Sequence, residues 1–429
     1  MEKKIAIVQF PGSNCEDESI FALKRVGISC EPFLWNDSVE KLKEFAGYFI
    51  VGGFSYEDRS RAGVIASLDP VMTAIADEAG KGKVVLGICN GAQVLVETGL
   101  VPGYASRHVG MVLAPNRMEK TGQLVGVGYY NNHCYLKTGL PKGSNAFNRW
   151  LGPDDLIRVP FAHAEGRFIF EDTLADQMEQ QQMLAFRYVD SKGKIQEDYP
   201  VNPNGSERSV AAVVNPSGNV MAMMPHPERV PEGDVIFESV GEYMREYDQT
   251  LFTSKTIAEP ERATDEDTVT DFKLGEDKWQ IPVKLIITDN TACSVEDALE
   301  KKGMKVEVER WILWTLESSK QITHSERHKI LSTGELLNTN KEFVDEVASI
   351  GSDGENAISL LVDSPVQPAG AMKKQTLEKR FGVKNIDKLR QRTIWKVKAK
   401  EGELDVEGLM KSHIFHNPVT DKITKLVTV

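Results

Sequence analysis

The chain has 429 residues, and at about 150 residues per domain that length suggests two to three domains. Hydrophobic residues make up 41% and charged residues 27%, an ordinary folded balance that excludes wholesale disorder. Lys and Arg total 51 against 63 Asp and Glu, a net charge of −12 that argues against a nucleic-acid binder or electrostatic docking on anionic membrane. Mean hydropathy is −0.31, and no uninterrupted apolar run approaches the ~18 residues of a membrane span. The five cysteines (Cys15, Cys30, Cys89, Cys134, Cys293) are scattered, with no C-x-x-C pair. That pattern favours neither a disulfide framework nor a metal site, and it predicts a reducing, cytoplasmic setting.

In chain order, Lys4–Phe10 reads as a strand, Asp17–Val26 as a helix, and Cys30–Trp35 and Tyr48–Val51 as further strands. Pro70–Ala79 has helical spacing, Lys83–Ile88 is strand-like, and Ala92–Thr98 is helical. Strands apolar on both faces, separated by helices, predict an α/β fold with a mainly parallel sheet. From there to about Met224 strands and turns dominate, as at Gln182–Val189, Val210–Val214 and the turn Asn215–Gly218. These features define a first domain over 1–250.

Residues 251–281 are rich in Thr, Asp, Glu and Lys and read as an acidic linker. Strands follow at 283–287, 306–316, 357–362 and 393–399, with helical patterns at 294–302, 341–350 and 367–380. The strand–helix–strand order appears twice, which predicts two α+β half-domains over 282–355 and 356–429.

Gly87-Ile-Cys89-Asn-Gly91 is the sharpest local feature. It joins a strand to a helix, the construction of the G-x-S-x-G nucleophile elbow with Cys in place of Ser. Flanking glycines relieve crowding around a strained nucleophile, and the helix N-terminus favours a thiolate and a developing oxyanion. Downstream, Met224-Pro-His226-Pro-Glu228 sets a His and a Glu two residues apart, on one face of an extended segment. Glu228 is then placed to orient His226 as a base for Cys89.

With those residues in place, the chain resembles class I (triad) glutamine amidotransferases. Among them it is most similar to the PurQ family, the glutaminase subunits of phosphoribosylformylglycinamidine synthase. The shared stretches are Phe10-Pro-Gly-Ser-Asn-Cys15, Gly52-Gly-Phe-Ser-Tyr56, Arg61-Ala-Gly63, Gly87–Gln93, Ala162-His-Ala-Glu-Gly-Arg167, Tyr199–Ser206 and Met223–Arg229. The resemblance implies a flavodoxin-like α/β domain. In it Cys89 attacks the side-chain amide of glutamine, His226 moves the proton and Glu228 orients His226. It implies an oxyanion hole of the Gly53 and Asn90 N–H groups, and a glutamine pocket formed with Gly52, Phe54, Gln93, His163 and Glu165. Glu57 and Ala164 depart from the family pattern of glycines; a Glu resists positive φ, so the Glu57 loop is expected to change shape.

The family's reaction consumes ATP, yet no phosphate-binding Gly-rich loop is present. The resemblance therefore implies that this chain binds no cofactor, and that ATP and Mg belong to a separate PurL-type synthetase polypeptide. Ile358–Val362, Ser364–Ala371, Val383–Ile386 and His416–Asp421 resemble the small PurS subunit, a ferredoxin-like α+β unit that dimerises and bridges glutaminase to synthetase. On that reading 282–355 is a second, diverged copy, and self-association through this region is an expected property. The alternatives are an unrelated ferredoxin-like oligomerisation domain, a triad glutaminase feeding a different synthase such as that of vitamin B6, and a non-catalytic scaffold. His324 and His328, and His413 and His416, have spacings that suit a metal but no convergent partners in sequence. Trp311 and Trp314 are read as packing aromatics, and Cys15 as structural.

Overall fold

In the computed structural model, residues 3–259, 278–345, 350 and 356–426 are described. The chain divides into two compact units, Met1–Arg262 and Ala263–Val429.

The first unit is built on a nine-stranded sheet. Its spatial order is Ser29–Leu34, Lys4–Gln9, Gly47–Ile50, Val84–Ile88, Val220–Met223, Val210–Val214, Phe186–Val189, Tyr130–Lys137 and Leu156–His163. The first five strands run parallel and the remaining pairings are antiparallel. The sheet is thus mixed where a mainly parallel one was expected. The reversal begins at the Asn215–Gly218 turn, where Gly218 (φ 72°) donates to the Asn215 carbonyl at 2.9 Å. So short a connection joins only antiparallel strands.

Val84–Ile88 and Val220–Met223 are buried along their whole length, because helices cover this part of the sheet. Two helices of this unit show why they form where they do. Glu16–Arg25 carries Glu16, Asp17 and Glu18 in its first turn and Lys24 and Arg25 in its last, complementing its dipole. Pro70–Gly80 opens with Asp69 accepting the Val71 N–H at 3.1 Å and Pro70 at the first helical position. No helix among the described residues is long and apolar enough to cross a membrane.

The stretch expected as a linker, 251–281, is packed at both ends. Ile257 is buried against the first unit and donates its N–H to the Gly103 carbonyl. At the other end Trp279–Leu285 forms a strand paired with Ile312–Leu316. Residues 260–277 lie outside those described.

The second unit is a six-stranded antiparallel sheet, ordered Glu342–Val344, Trp279–Leu285, Val306–Glu317, Lys388–Ala399, Ala357–Asp363 and Lys422–Lys425. Helices Asn290–Lys301, His324–Ser332, Ala369–Phe381 and Val406–Lys411 alternate with these strands. The unit therefore runs strand–helix–strand–helix–strand twice. The inner strands of the two halves, 12 residues each, pair along their whole length from Val306 opposite Ala399 to Glu317 opposite Lys388. The helix expected over 341–350 is not found at 342–344, where Glu342–Val344 adds an edge strand to Val283–Leu285. Pairing to the neighbouring strand overrides the local helical pattern; residues 346–349 lie outside those described. Trp311 and Trp314 are buried as packing aromatics, with Trp311 Nε1 donating to Asp345 Oδ2 at 2.9 Å.

Candidate active site

The elbow is a strand end, one residue and a helix start. Val84–Ile88 runs directly into Cys89, whose backbone sits at φ 54°, ψ −109°, and Asn90–Glu97 is helical from the next residue. Such a backbone is costly for a non-glycine residue and persists only where its surroundings impose it. The flanking glycines have a measurable reason. A Cβ on Gly87 would lie 2.4 Å from the Gly91 carbonyl oxygen, and one on Gly91 would lie 2.0 Å from that of Ile50. The Cys89 N–H is held by the Met223 carbonyl at 2.8 Å, which ties the elbow to the strand that leads to His226.

His226 follows that strand, and its backbone N–H is fixed on the Pro160 carbonyl at 2.8 Å. Its Nδ1 lies 2.5 Å from Glu228 Oε1. The segment is not extended, as the two prolines suggested: Pro227–Arg229 is a single 3-10 turn, and that turn brings the carboxylate under the ring. Both side chains are buried. Burial alone would push the imidazole down, but the electrostatic pull of Glu228 and Cys89 and the hydrogen bond to Glu228 outweigh it and lift His226 to about 10. Cys89, His226 and Glu228 are thus brought together at the end of the sheet's central strands.

Gly52 packs into the middle of this group. A Cβ there would stand 3.3 Å from the His226 ring and 3.4 Å from Cys89 Cβ. Gly53 is held at φ 140°, in a bridge opposite Ser13 closed by Asn14 N–H to Gly52 O and Phe54 N–H to Gly12 O. The Gly53 N–H is therefore turned away from that pairing. Phe54 is 55% exposed at the rim. Tyr56, Glu57 and Asp58 all adopt φ of 52–57°, so Glu57 accepts the left-handed backbone that its side chain disfavours. Three consecutive non-glycine residues at positive φ make this loop a strained one. Ala164 is exposed, and its carbonyl takes the Asn116 N–H at 2.8 Å.

The first turn of the elbow helix carries an amide network. Asn90 Nδ2 donates to Gln93 Oε1 at 2.9 Å and to Asp58 Oδ1 at 3.2 Å, while Asn90 Oδ1 accepts the Ser55 N–H at 2.9 Å. Gln93 Nε2 donates to the Glu165 carbonyl at 2.7 Å. His163 Nδ1 meets Asn116 Oδ1 at 3.1 Å; burial, together with nearby His226, pushes its imidazole down to about 3 and keeps it neutral. Asn116 and Asp58 escaped the sequence reading, and Ser55 entered it only as part of the shared stretch Gly52–Tyr56. Asn116 is 47 residues from His163, a separation that no local motif spans.

Cys15 is nearer the triad than its sequence context suggested. Its Sγ and donor atoms of His226 and Glu228 all lie within 4.8 Å of one another, the one such group among the described residues with metal-ligand donors. Burial drives its thiol up to about 12, against the opposing pull of Arg229, whose Nη2 donates to Cys15 Sγ at 3.3 Å. That guanidinium, with Nε also 3.9 Å from Glu228 Oε1, already sets a positive charge against two of the three donors. Of the paired histidines, His324 and His328 are exposed on one helix, and the rings of His413 and His416 stack edge-on at 5.4 Å.

Residues 2–253 match the CobB/CobQ-like glutamine amidotransferase domain family. Among curated relatives, phosphoribosylformylglycinamidine synthase subunit PurQ of Methanothrix thermoacetophila is 43% identical over 227 residues, 53% of this chain and 86% of that protein. The PurQ subunit of Methanosarcina acetivorans is 36% identical over 251 residues, 57% of this chain and 99% of that protein. Among solved structures, that of PurLQS from Thermotoga maritima aligns with 57% of this chain and all of the matched chain, at 28% identity and a TM-score of 0.45.

Proposed function

Because this chain belongs to the CobB/CobQ-like glutamine amidotransferase domain family, we propose that it is the glutaminase subunit of a phosphoribosylformylglycinamidine synthase. The observation that carries this reading is the buried His226–Glu228 pair beside a strained Cys89 elbow, in a domain 43% identical to a PurQ subunit. Cys89 Sγ attacks the carboxamide carbon of glutamine, and the Gly53 and Asn90 N–H groups receive the oxyanion. His226, oriented by Glu228, gives its proton to the departing nitrogen, ammonia leaves and a γ-glutamyl thioester remains on Cys89. Water, deprotonated by His226, cleaves the thioester to glutamate. Gly52, Phe54, Gln93, His163 and Glu165 shape the glutamine pocket.

Ammonia then serves the ATP-dependent conversion of formylglycinamide ribonucleotide to formylglycinamidine ribonucleotide in purine biosynthesis. ATP and Mg act on a separate PurL-type synthetase polypeptide in the cytoplasm. We read the second unit as a PurS-like adaptor whose two halves stand in for two associating copies. Its repeated strand–helix–strand–helix–strand order and the full-length pairing of its inner strands support that reading.

The test is glutamine hydrolysis by the chain alone and with the candidate synthetase, ADP and substrate. Little activity alone, stimulation in the mixture and none with Cys89→Ala are expected; hydrolysis surviving Cys89→Ala refutes the nucleophile. Deleting 282–429 is expected to weaken assembly with the synthetase while Cys89 remains open to alkylation. Unchanged assembly would remove the adaptor role.

A further inference from the structure

The turn that carries Glu228 is clamped from behind by a single helix. Arg25, in the last turn of Glu16–Arg25, donates Nη2 to the Glu228 backbone carbonyl at 3.2 Å, while its Nε and Nη2 hold Asp234 Oδ1 at 3.0 and 2.6 Å. Arg229, the next residue after Glu228, is tied to the other end of the same helix. Its Nε donates to Glu18 Oε1 at 3.2 Å and its Nη2 to Cys15 Sγ at 3.3 Å. Held in this way, the guanidinium rests with Nε 3.9 Å from Glu228 Oε1, the same oxygen that His226 Nδ1 meets at 2.5 Å. Glu228 is 1% exposed, and its Oε2 has no hydrogen-bond partner among the described residues. A carboxylate buried so completely needs compensating positive charge.

We propose that Arg229 is a positioning residue for the triad, a fixed cation that keeps Glu228 ionised while His226 gives up its proton. This role rests on the glutaminase reading, in which His226 hands a proton to the departing nitrogen. At that moment the imidazole turns neutral, and Glu228 loses the charge that offset its burial. A buried carboxyl without a cation beside it competes for the proton and stops orienting the ring as an anion. The Arg229 guanidinium stays charged at every step, so the compensation remains when the imidazolium is gone. Glu18 and Cys15 act by holding the guanidinium, and Arg25 by holding the backbone of the turn.

The surrounding charges fix the sign of its effect. His226 is faced by Glu228 from its own turn, Cys89 from the elbow, Cys15 from the cap of Glu16–Arg25 and His163 from the strand Leu156–His163. His163 is neutral and Arg25 is paired with Asp234, which leaves Arg229 as the lasting positive charge against Glu228. A cation at this place favours the Cys89 thiolate and disfavours the His226 imidazolium, so its removal raises the proton affinity of both. Loss of Arg229 therefore moves thiolate formation to higher pH.

The test uses the full chain and iodoacetamide, which forms an S–C bond with a thiolate as iodide leaves. Labelling of the Cys89 peptide is followed against pH by mass spectrometry for wild type, Arg229→Gln and Arg229→Lys, beside glutamine hydrolysis with the candidate synthetase. Arg229→Gln is expected to move the midpoint of the labelling profile toward alkali by about one pH unit. It is also expected to lower kcat at least about tenfold while changing KM less than about twofold. Arg229→Lys, which keeps the charge and loses the fork, is expected to recover most of the midpoint. Arg229→Met takes the place of the Gln variant if that chain fails to fold. A wild-type midpoint in the neutral variant, even with slower labelling at every pH, overturns the proposal, as does a Lys variant displaced as far as the neutral one. Glutamine hydrolysis that survives Cys89→Ala takes down the glutaminase reading and this role with it. An unmoved midpoint in a chain whose hydrolysis does need Cys89 removes Arg229 alone.

Discussion

His163 shows how one buried side chain can tie stability to pH. In the folded chain it is 5% exposed, bonded to Asn116 and neutral down to about pH 3, whereas an unfolded histidine takes up its proton near pH 6.5. Between those values the unfolded chain binds the extra proton, so stability is lost as pH falls below about 6.5, by about 1.4 kcal/mol per unit from this group. The expected outcome is that the urea midpoint drops more between pH 7 and 5 for the wild type than for His163→Gln. Equal drops would remove the assignment. Other residues at this scale were open to sequence reading in proportion to how local their partners are. The His226–Glu228 contact spans two residues and was legible. Ser55 and Asp58 reach Asn90 from 35 and 32 residues away, and nothing in their own neighbourhoods announced it.

At the scale of elements, the elbow depends on close approach between backbone segments more than on helix or strand propensity. A methyl on Gly91 would be driven into the Ile50 carbonyl at 2.0 Å, which is backbone and cannot swing aside. Gly80, in the helix Pro70–Gly80, has nothing within 4 Å of a built Cβ. Gly91→Ala is therefore expected to cost about 1–3 kcal/mol and to disable the elbow, while Gly80→Ala is expected to be neutral or stabilising by up to about 1 kcal/mol. Urea unfolding of the two variants decides it; a Gly91→Ala protein as stable as wild type would show that the elbow does not need the close approach. The elements best read from sequence were the buried strands, whose apolar runs leave little choice. The edge strand Glu342–Val344 was mistaken for helix because its three residues are only partly buried or exposed and their conformation is imposed by the neighbouring strand. The 3-10 turn at Pro227–Arg229 was missed for a related reason: proline excludes the helix interior but permits the first position of a short turn.

At the scale of the whole molecule, each unit has its own core. The first gathers around the mixed sheet, and the second packs Trp314, Leu316 and Leu377 at one side of its sheet and Trp311, Leu313 and Ile394 at another. Composition changes over 251–281, and the two compact units divide at Arg262 and Ala263. The packed edges of that stretch were not legible, since Ile257 is bridged to Tyr104 and Trp279 is paired with Leu316, partners that lie far along the chain. The net charge of −12 constrained partners and said nothing of chemistry; the proposed chemistry rests on one of five cysteines, Cys89, on a strained turn beside the buried His226–Glu228 pair. The most direct test of that account is mass spectrometry of the chain incubated with glutamine and the candidate synthetase and quenched in acid. The account predicts a γ-glutamyl thioester on the peptide containing Cys89, lost in Cys89→Ala together with ammonia release. A glutamyl adduct on Cys15, or ammonia release that continues without Cys89, would contradict it.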